Sequence, residues 1–373
     1  MKKIISMVLV LSVLILCFAS CELGEIPSDT GNTEENNQTG NTNDDNNETD
    51  IREEKYRNAL ALLDEGKYKE AYEAFKELGD YQDAKKQLSY FRYVPTHLEM
   101  KEEYGDETMT GMYKWVYNEN GLPGKIDMSA VYGDESFSEN MTLAYDDKGN
   151  LIQTIQSGYD GDTYIINYTY DVKGNLIKEV ETAPDGDKYI YDYAYDRKGK
   201  LIKKTHTTYY DAEETLQHSS EYIYDEIGTL IREVKTYAGG NKYITDYTYD
   251  TKGNLIKGVY TDSDGDKNIY DYTYDVNGNL IKEVETYASG NKYITDYTYD
   301  TKGNLIKGVY TDSDGDKDIC DYTYDVNGNL IKVVYTDSDG DKDIYDFAYQ
   351  FTYNPFELSE EVEQYLDIES ILG

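Results

Sequence analysis

Beyond residue 94, apolar and polar residues alternate with a period of two over most of the chain. Segments such as 243–249 and 255–261 read as half-buried strands of seven residues or so. Loops that contain Asp, Asn and Gly separate these segments, as in Asp262–Asp266. Alternation bounded by such turn signals predicts antiparallel strands joined as hairpins.

The hairpin pattern is a sequence repeat marked by Tyr-Asp pairs. The pairs begin at Tyr145, Tyr170, Tyr195, Tyr224, Tyr249, Tyr274, Tyr299 and Tyr324. The step is 25 residues except for one step of 29, which contains an insertion near residues 211–219. Residues 241–267 and 291–317 are identical, which indicates tandem duplication of a 50-residue unit.

Two loop types fix the expected register. A three-residue loop around Gly265 pairs Lys257 with Asp271. A four-residue loop over 250–253 pairs Asp246 with Lys257, so that the lysine lies between two aspartates. The same register pairs Ile244 with Val259, Tyr247 with Ile256, and Thr248 with Leu255. One face then carries Leu, Val and Ile beside a Lys–Asp ladder, and the other carries Tyr and Ile.

The fold class expected is mainly β: a long antiparallel meander of repeated hairpins over residues 94–354. So many strands do not stay flat and open, and we expect them to coil into a spiral or partial barrel. A small N-terminal helical domain over 51–93 and a C-terminal capping helix within 355–373 are expected to cover the sheet edges.

The helical segment contains GKYKEAYEAFKEL at 66–78, which resembles one tetratricopeptide-type unit. A single unit buries its apolar face poorly by itself. We therefore expect it to cap the first strands, and a peptide-binding helical module is the alternative.

The N-terminus carries Lys2 and Lys3, then an apolar run, then Phe-Ala-Ser-Cys at 18–21. This resembles a bacterial lipobox, which implies a signal peptide over 1–20, cleavage before Cys21 and lipidation of its sulfur. An ordinary signal peptide with a coincidental cysteine is the alternative. Residues 21–50 are rich in Asn, Asp and Thr and predict a disordered tether. The protein is thus expected to be exported, lipid-anchored to the bacterial envelope and exposed at the surface.

The string YDTKGNLIK at 249–257, followed by a Gly-containing turn and another Tyr-Asp pair, resembles the YD repeat of Rhs-type proteins over residues 117–349. The resemblance implies curling β-sheets that serve as hollow shells around a toxin or as adhesive surface proteins. This chain has few repeats, and neither a core segment ending a shell nor a toxin domain is recognised after them.

The charge of −38 disfavours nucleic acid as a partner and is compatible with cationic partners or divalent ions. The chain has 43 Tyr and 7 Phe. So many hydroxyl groups are more compatible with a partly solvated surface than with a buried core. Tyr260, Tyr270 and Tyr310 near hairpin tips are the candidate contacts for a glycan or a surface protein, although the tyrosines could simply pack the sheet.

The acidic hairpin tips are candidate calcium ligands, since clustered carboxylates suit calcium. These residues are Asp262, Asp264, Asp266, Asp312, Asp314, Asp316, Asp337, Asp339 and Asp341. Ordinary Asp-Gly turn chemistry is the alternative, and no other cofactor is expected. His97, His206 and His218 form no catalytic or metal pattern, and Cys320 replaces the tyrosine found at Tyr270.

No catalytic residues are therefore expected, and the protein is not expected to be an enzyme. The preferred function is binding or adhesion through the tyrosine-rich repeats, with repetition giving avidity. The alternatives are a small shell that encapsulates or delivers a polypeptide, and an envelope assembly factor acting through the helical segment. The sequence leaves the oligomeric state open.

Overall fold

The computed structural model describes residues 45–104, 107–158, 161–210 and 213–353. The helices are α1 (Asp45–Asp64), α2 (Tyr68–Leu78) and α3 (Ala84–Leu88). The first ten strands are β1 (Phe91–Tyr104), β2 (Glu107–Tyr117), β3 (Pro123–Tyr132), β4 (Glu135–Tyr145), β5 (Leu151–Ser157), β6 (Thr163–Tyr170), β7 (Leu176–Thr182), β8 (Lys188–Tyr195), β9 (Leu201–Tyr210) and β10 (Glu213–Tyr224). The others are β11 (Leu230–Tyr237), β12 (Lys242–Tyr249), β13 (Leu255–Thr261), β14 (Lys267–Tyr274), β15 (Leu280–Thr286), β16 (Lys292–Tyr299), β17 (Leu305–Thr311), β18 (Lys317–Tyr324), β19 (Leu330–Thr336) and β20 (Lys342–Tyr353).

The chain divides into two compact units. The helical unit combines the described residues up to Pro95 with Tyr117–Pro123 and the described residues from Tyr349 onward. The barrel unit comprises Thr96–Val116 and Gly124–Ala348, less the gaps given above.

The helical unit has its own apolar core. Ala59 of α1, Ala71 and Phe75 of α2, and Ala84 of α3 are fully buried. The spacing of four between Ala71 and Phe75 places both on one face of α2. Phe91, at the start of β1, packs on this core and stacks on Phe351 near the end of β20, with ring centroids 5.7 Å apart. The core of this unit thus extends from the helices to Phe91, and the role of the helices as a cap stays a prediction.

The element boundaries depart from the sequence-based ones at the N-terminal side. Helix α1 begins at Asp45, inside the segment assigned to the tether, because a nucleated helix extends by adding one hydrogen bond per residue. The signal peptide, Cys21 and the C-terminal cap lie outside the described residues and stay predictions. Within the described ranges, no helix is both long enough and apolar enough to span a membrane.

The barrel is a closed circuit of strands. In the described residues, one sheet of twenty strands pairs each strand with its neighbour in the chain, and β1 also pairs with β20. In the barrel unit, the Thr96 hydroxyl donates to the Ala348 carbonyl at 3.0 Å, and Tyr345 donates to Glu102 at 3.4 Å. The expected spiral or partial barrel is therefore wrong. Closure satisfies the backbone groups that two free sheet edges would leave unpaired.

The hairpins within each repeat have the predicted register. Strands β13 and β14 pair Lys257 with Asp271, Val259 with Ile269, and Thr261 with Lys267. Lys257 Nζ lies 3.3 Å from Asp271 Oδ1, and equivalent pairs join Lys282 to Asp296 at 3.0 Å and Lys307 to Asp321 at 3.2 Å. Both side chains of each pair are about half-exposed, so each contributes only about 0.2–1 kcal/mol.

The register between repeats differs from the prediction. Strands β12 and β13 pair Tyr249 with Leu255 and Thr248 with Lys257, so that a β-bulge leaves Ile256 without a partner. Asp246 consequently lies opposite Val259, and its carboxylate pairs with Arg232 instead of Lys257. The predicted pairs Asp246–Lys257, Ile244–Val259, Tyr247–Ile256 and Thr248–Leu255 are therefore wrong.

The bulge shifts Leu255 to the other side of the sheet. A three-residue loop alone would mix the two faces, and the one-residue bulge restores the alternation from Lys257 onward. Leu255 thus shares a face with Tyr249, whereas the sequence placed it beside the Lys–Asp ladder.

We call the tyrosine side the inner face and the Lys–Asp side the outer face. The buried residues of the barrel unit lie on the tyrosine side, which is expected for the crowded concave side of a closed sheet. They include Leu98, Met100, Trp115, Met141, Leu151, Thr154, Thr208, Ser220, Leu330, Val333 and Phe347. Aspartates of the outer ladder, such as Asp271 and Asp321, are exposed.

A pair of double-cysteine variants distinguishes the two registers. With Cys320→Ser in the background, Thr248→Cys with Lys257→Cys places two thiols on directly opposed residues, and we expect a disulfide to form readily under mild oxidation. Asp246→Cys with Lys257→Cys joins residues that only the four-residue loop would oppose. Peptide mapping by mass spectrometry measures both yields, and a higher yield for the second variant would contradict the bulge.

Candidate functional site

Each Tyr-Asp turn is held by its own aspartate. Asp250 Oδ1 accepts the backbone N–H groups of Lys252 at 2.8 Å and Asn254 at 2.9 Å, while Oδ2 accepts the Asn254 side-chain amide at 2.9 Å. Gly253 follows at a φ of 92°, in the left-handed region that glycine tolerates best. These bonds lower the pKa of Asp250, with the Asn254 side chain as the largest cause.

The two loop types of the repeat have the same backbone geometry. Asp250 donates its N–H to the Asn254 carbonyl at 2.9 Å, and Asp262 donates likewise to Asp266 at 3.0 Å. Both loops therefore close with three residues between the bonded pair. Their predicted lengths differed because the bulge after the Tyr-Asp loop has no residue signature of its own.

The repeated tyrosine hydroxyl has a specific partner. Tyr274 donates to the Leu255 carbonyl at 2.8 Å, and Tyr299 donates to the Leu280 carbonyl at the same distance. Leu255 lies beyond the last residue pair of the β13–β14 ladder, so the hydroxyl supplies a donor where the sheet does not. Each such bond contributes about 1 kcal/mol, and phenylalanine cannot form it. This hydrogen bond therefore accounts in part for the excess of Tyr over Phe.

Carboxylates join the tyrosines on the inner face. Tyr193 donates to Glu179 at 3.1 Å, Tyr287 to Glu285 at 2.8 Å and Tyr297 to Glu283 at 3.4 Å. Burial raises the pKa of Glu283, and the neighbouring Glu285 charge raises it further. Burial and Glu283 likewise raise the pKa of Tyr297 to about 12. The inner face therefore offers half-buried hydrogen-bonding groups beside aromatic rings.

The three tyrosines predicted as contacts all lie on the inner face. Tyr260 stacks with Tyr243 at 5.8 Å between centroids, and Tyr310 stacks with Tyr293 at 5.9 Å. Both lie one residue from the end of their strands, next to the Asp-Gly turns. Tyr310 keeps 37% of its surface exposed. Tyr270 lies one row deeper than Tyr260, between Gly258 and Glu285. Tyr310 lies four strands away from Tyr260.

The acidic tips use carboxylate oxygens inside their own turns. Asp262 Oδ1 accepts the backbone N–H groups of Asp264 and Asp266, both at 2.9 Å. The first aspartates of the two later turns, Asp312 and Asp337, do the same. Within the described part of the chain, no group of three or more His, Cys, Asp or Glu is placed to hold a metal ion. Calcium binding at these tips stays a prediction.

The fold brings together two histidines that form no recognisable pattern in the sequence. His206 on β9 and His218 on β10 are directly opposed on the inner face, with ring centroids 5.2 Å apart. His206 also stacks on Tyr191 at 4.4 Å. They lie twelve residues apart in the sequence, so only the hairpin register reveals the pair.

Comparison with known proteins supports the repeat assignment. Residues 274–317 match the family model described as RHS Repeat, so this part of the chain carries an Rhs-type repeat. No curated protein matches the chain.

Three solved structures are similar to this chain at low identity. A porin-like protein from Bacteroides uniformis is 13% identical, with a TM-score of 0.34, over 69% of this chain and 98% of that one. A porin-like protein from Bacteroides vulgatus is 12% identical, with a TM-score of 0.27, over 68% and 97%. TcdB2-TccC3 is 12% identical, with a TM-score of 0.26, over 66% of this chain and 20% of that one.

The aspartate of the Tyr-Asp turn should make stability depend on pH. The pKa of Asp300 is lowered by its bonds to Asn304 and Lys302, so its stabilising effect is full above about pH 4 and is lost as the pH falls through the lowered value. We expect Asp300→Asn to lower the urea midpoint at about pH 6 and to differ less from wild type at about pH 3.

Asp314→Asn is the matched control, because the carboxylate of Asp312 and not that of Asp314 accepts the backbone bonds in that turn. We expect this variant to change the midpoint little at either pH. A gap between Asp300→Asn and wild type that widens on acidification would show that the carboxylate does not hold the turn.

Proposed function

We propose that this protein is a non-catalytic container whose barrel holds a polypeptide against the inner face. The observation that supports the proposal is the closed strand circuit with its repeated tyrosines and glutamates on the inner face. An open sheet with its tyrosines facing outward would instead have favoured adhesion through the tyrosine rings.

The number of strands supports a hollow interior. Roughly eight strands give an interior that the barrel's own side chains fill, and roughly sixteen or more leave a water-filled space. The described barrel has twenty. Tyr237 and Tyr310 on its inner face keep 40% and 37% of their surfaces exposed, consistent with space beside them.

The chemistry of the inner face suits a polypeptide guest. Tyrosine offers a large rigid ring and a hydroxyl at a low cost in conformational entropy, which favours contact with varied partners. The carboxylates of Glu283 and Glu285 can accept backbone N–H groups. The resemblance to Rhs-type shells agrees with such a guest.

Site-specific cross-linking tests the container. Cys320 lies on the inner face opposite Gly308 and Tyr335, and a benzophenone attached to its thiol should capture a co-purifying polypeptide. The matched control carries the same group on the outer face, at Thr323→Cys with Cys320→Ser. We expect cross-linked peptides from the inner position alone, identified by mass spectrometry. Equal capture from both positions, or none from Cys320, would rule against an enclosed guest.

Attachment to another surface is a second candidate function, supported by the Tyr-Asp turn tips. Val172, Val276 and Val326 hold equivalent positions in three turns and are 87–95% exposed. Isolated apolar residues are common on surfaces, but a repeated apolar tip gives many equivalent weak contacts.

The repeats themselves provide the substitution that tests this role. Thr251 and Thr301 occupy the same turn position, so changing Val172, Val276 and Val326 to Thr should preserve the fold and the urea midpoint. We expect the triple variant to bind purified cell envelopes at least about tenfold more weakly, since avidity multiplies small losses. Sedimentation with envelopes measures this, and undiminished binding would eliminate the tips as contacts.

A further inference from the structure

The insertion-bearing repeat places four basic side chains together on the inner face. Lys204 on β9 and Lys235 on β11 both lie opposite Ser220 on β10, one from each side. In the next inner-face row, His206 lies opposite His218. All of these positions belong to the barrel unit.

Comparison between repeats shows that these residues replace acids. The strand motif LIKEVET of β7 has Glu179 and Glu181 on the inner face, and β15 has Glu283 and Glu285 at the same places. Strand β9 reads LIKKTHT, with Lys204 and His206 there instead. Strand β11 has Glu233 at the first of these two positions and Lys235 at the second. The protein has a net charge of −38, yet basic residues replace acidic ones at this place on its inner face.

The four groups lack polar partners. Lys204 lies over the rings of Tyr191 and Tyr193 at 4.8 and 5.2 Å, and Lys235 lies over Tyr237 at 5.2 Å. Among the described residues, none of the four forms a hydrogen bond or ion pair, and His206 Nε2 is buried without a partner. A buried polar atom left unpaired is costly, so His206 is stabilised when a partner for Nε2 is supplied.

Charges on the adjoining strands do not neutralise the patch. Glu179 on β7 and Glu233 on β11 are the acids that face Lys204, and both favour its charged form. Burial nevertheless outweighs them, and the pKa of Lys204 is lowered. Burial first, and then the charge of Lys235, lower the pKa of His218 to about 4. The basic groups therefore oppose one another's protonation, as expected where a counter-charge is missing.

We propose that Lys204, Lys235, His206 and His218 form a binding site for an oxyanion, a phosphate or carboxylate group, on the inner face of the barrel. Two ammonium groups supply charge, and the imidazole N–H groups supply directed donors. The flanking tyrosine rings hold the lysine side chains in place. The site goes beyond the container proposal, since a small anion can occupy it whether or not a polypeptide is present.

Calorimetric titration of the full-length protein with inorganic phosphate, and separately with citrate, tests the site. We expect saturable binding of at least one probe, and the comparison tells phosphate from carboxylate preference. Lys204→Glu recreates the residue of β7 and β15 and should weaken binding about tenfold or more. Lys203→Glu makes the same charge change one residue away on the outer face and should leave binding within about twofold.

A second inner-face variant distinguishes loss of the binding site from misfolding of the Lys204→Glu protein. Lys235→Glu matches Glu285 of β15 at the equivalent position and should weaken binding in the same way while keeping the wild-type urea midpoint. The proposal is overturned if wild type binds neither probe saturably, or if the folded Lys204→Glu and Lys235→Glu proteins bind as wild type does. It is also overturned if Lys203→Glu weakens binding as much as they do.

Discussion

The bulge that follows every Tyr-Asp turn is the constraint on which the barrel depends. Each turn closes with three residues, and such a loop by itself would place the next strand's side chains on the wrong side of the sheet. Skipping one residue, Ile256 in the repeat described above, restores the alternation. The Asp250 carboxylate holds the turn, and the Tyr274 hydroxyl bonds the Leu255 carbonyl beside the bulge. Repetition of this unit keeps tyrosines on one face through successive hairpins.

Closure then separates the two faces into different environments. The outer face carries Lys–Asp pairs that are half-exposed and individually weak. The inner face carries tyrosines, glutamates and the apolar residues of the buried set. Because β1 pairs with β20, no sheet edge is left for association with another strand in the described barrel. A contained guest would therefore bind through side chains on the inner face and not by strand addition.

Duplication explains the regularity of the barrel, and one repeat departs from that regularity. Identical segments at 241–267 and 291–317 give equivalent residues equivalent surroundings, as in the stacked pairs Tyr243–Tyr260 and Tyr293–Tyr310. The repeat that carries the insertion departs from this pattern in charge as well as in length. Its inner face has Lys204 where β7 has Glu179, which is why a distinct ligand site is proposed there.

The sequence by itself determined the strands, the hairpins within each repeat and the pairing of Lys257 with Asp271, because alternation and Asp-Gly turns act over a few residues. It also marked Tyr260, Tyr270 and Tyr310 as neighbours of the hairpin tips. Tertiary structure decided the bulge at Ile256, the inward position of those tyrosines and the meeting of His206 with His218. A bulge reflects hydrogen-bond competition between two strands and leaves no residue signature. Closure depends on the summed twist and curvature of twenty strands and on a pairing between chain segments some 240 residues apart, which no local pattern specifies.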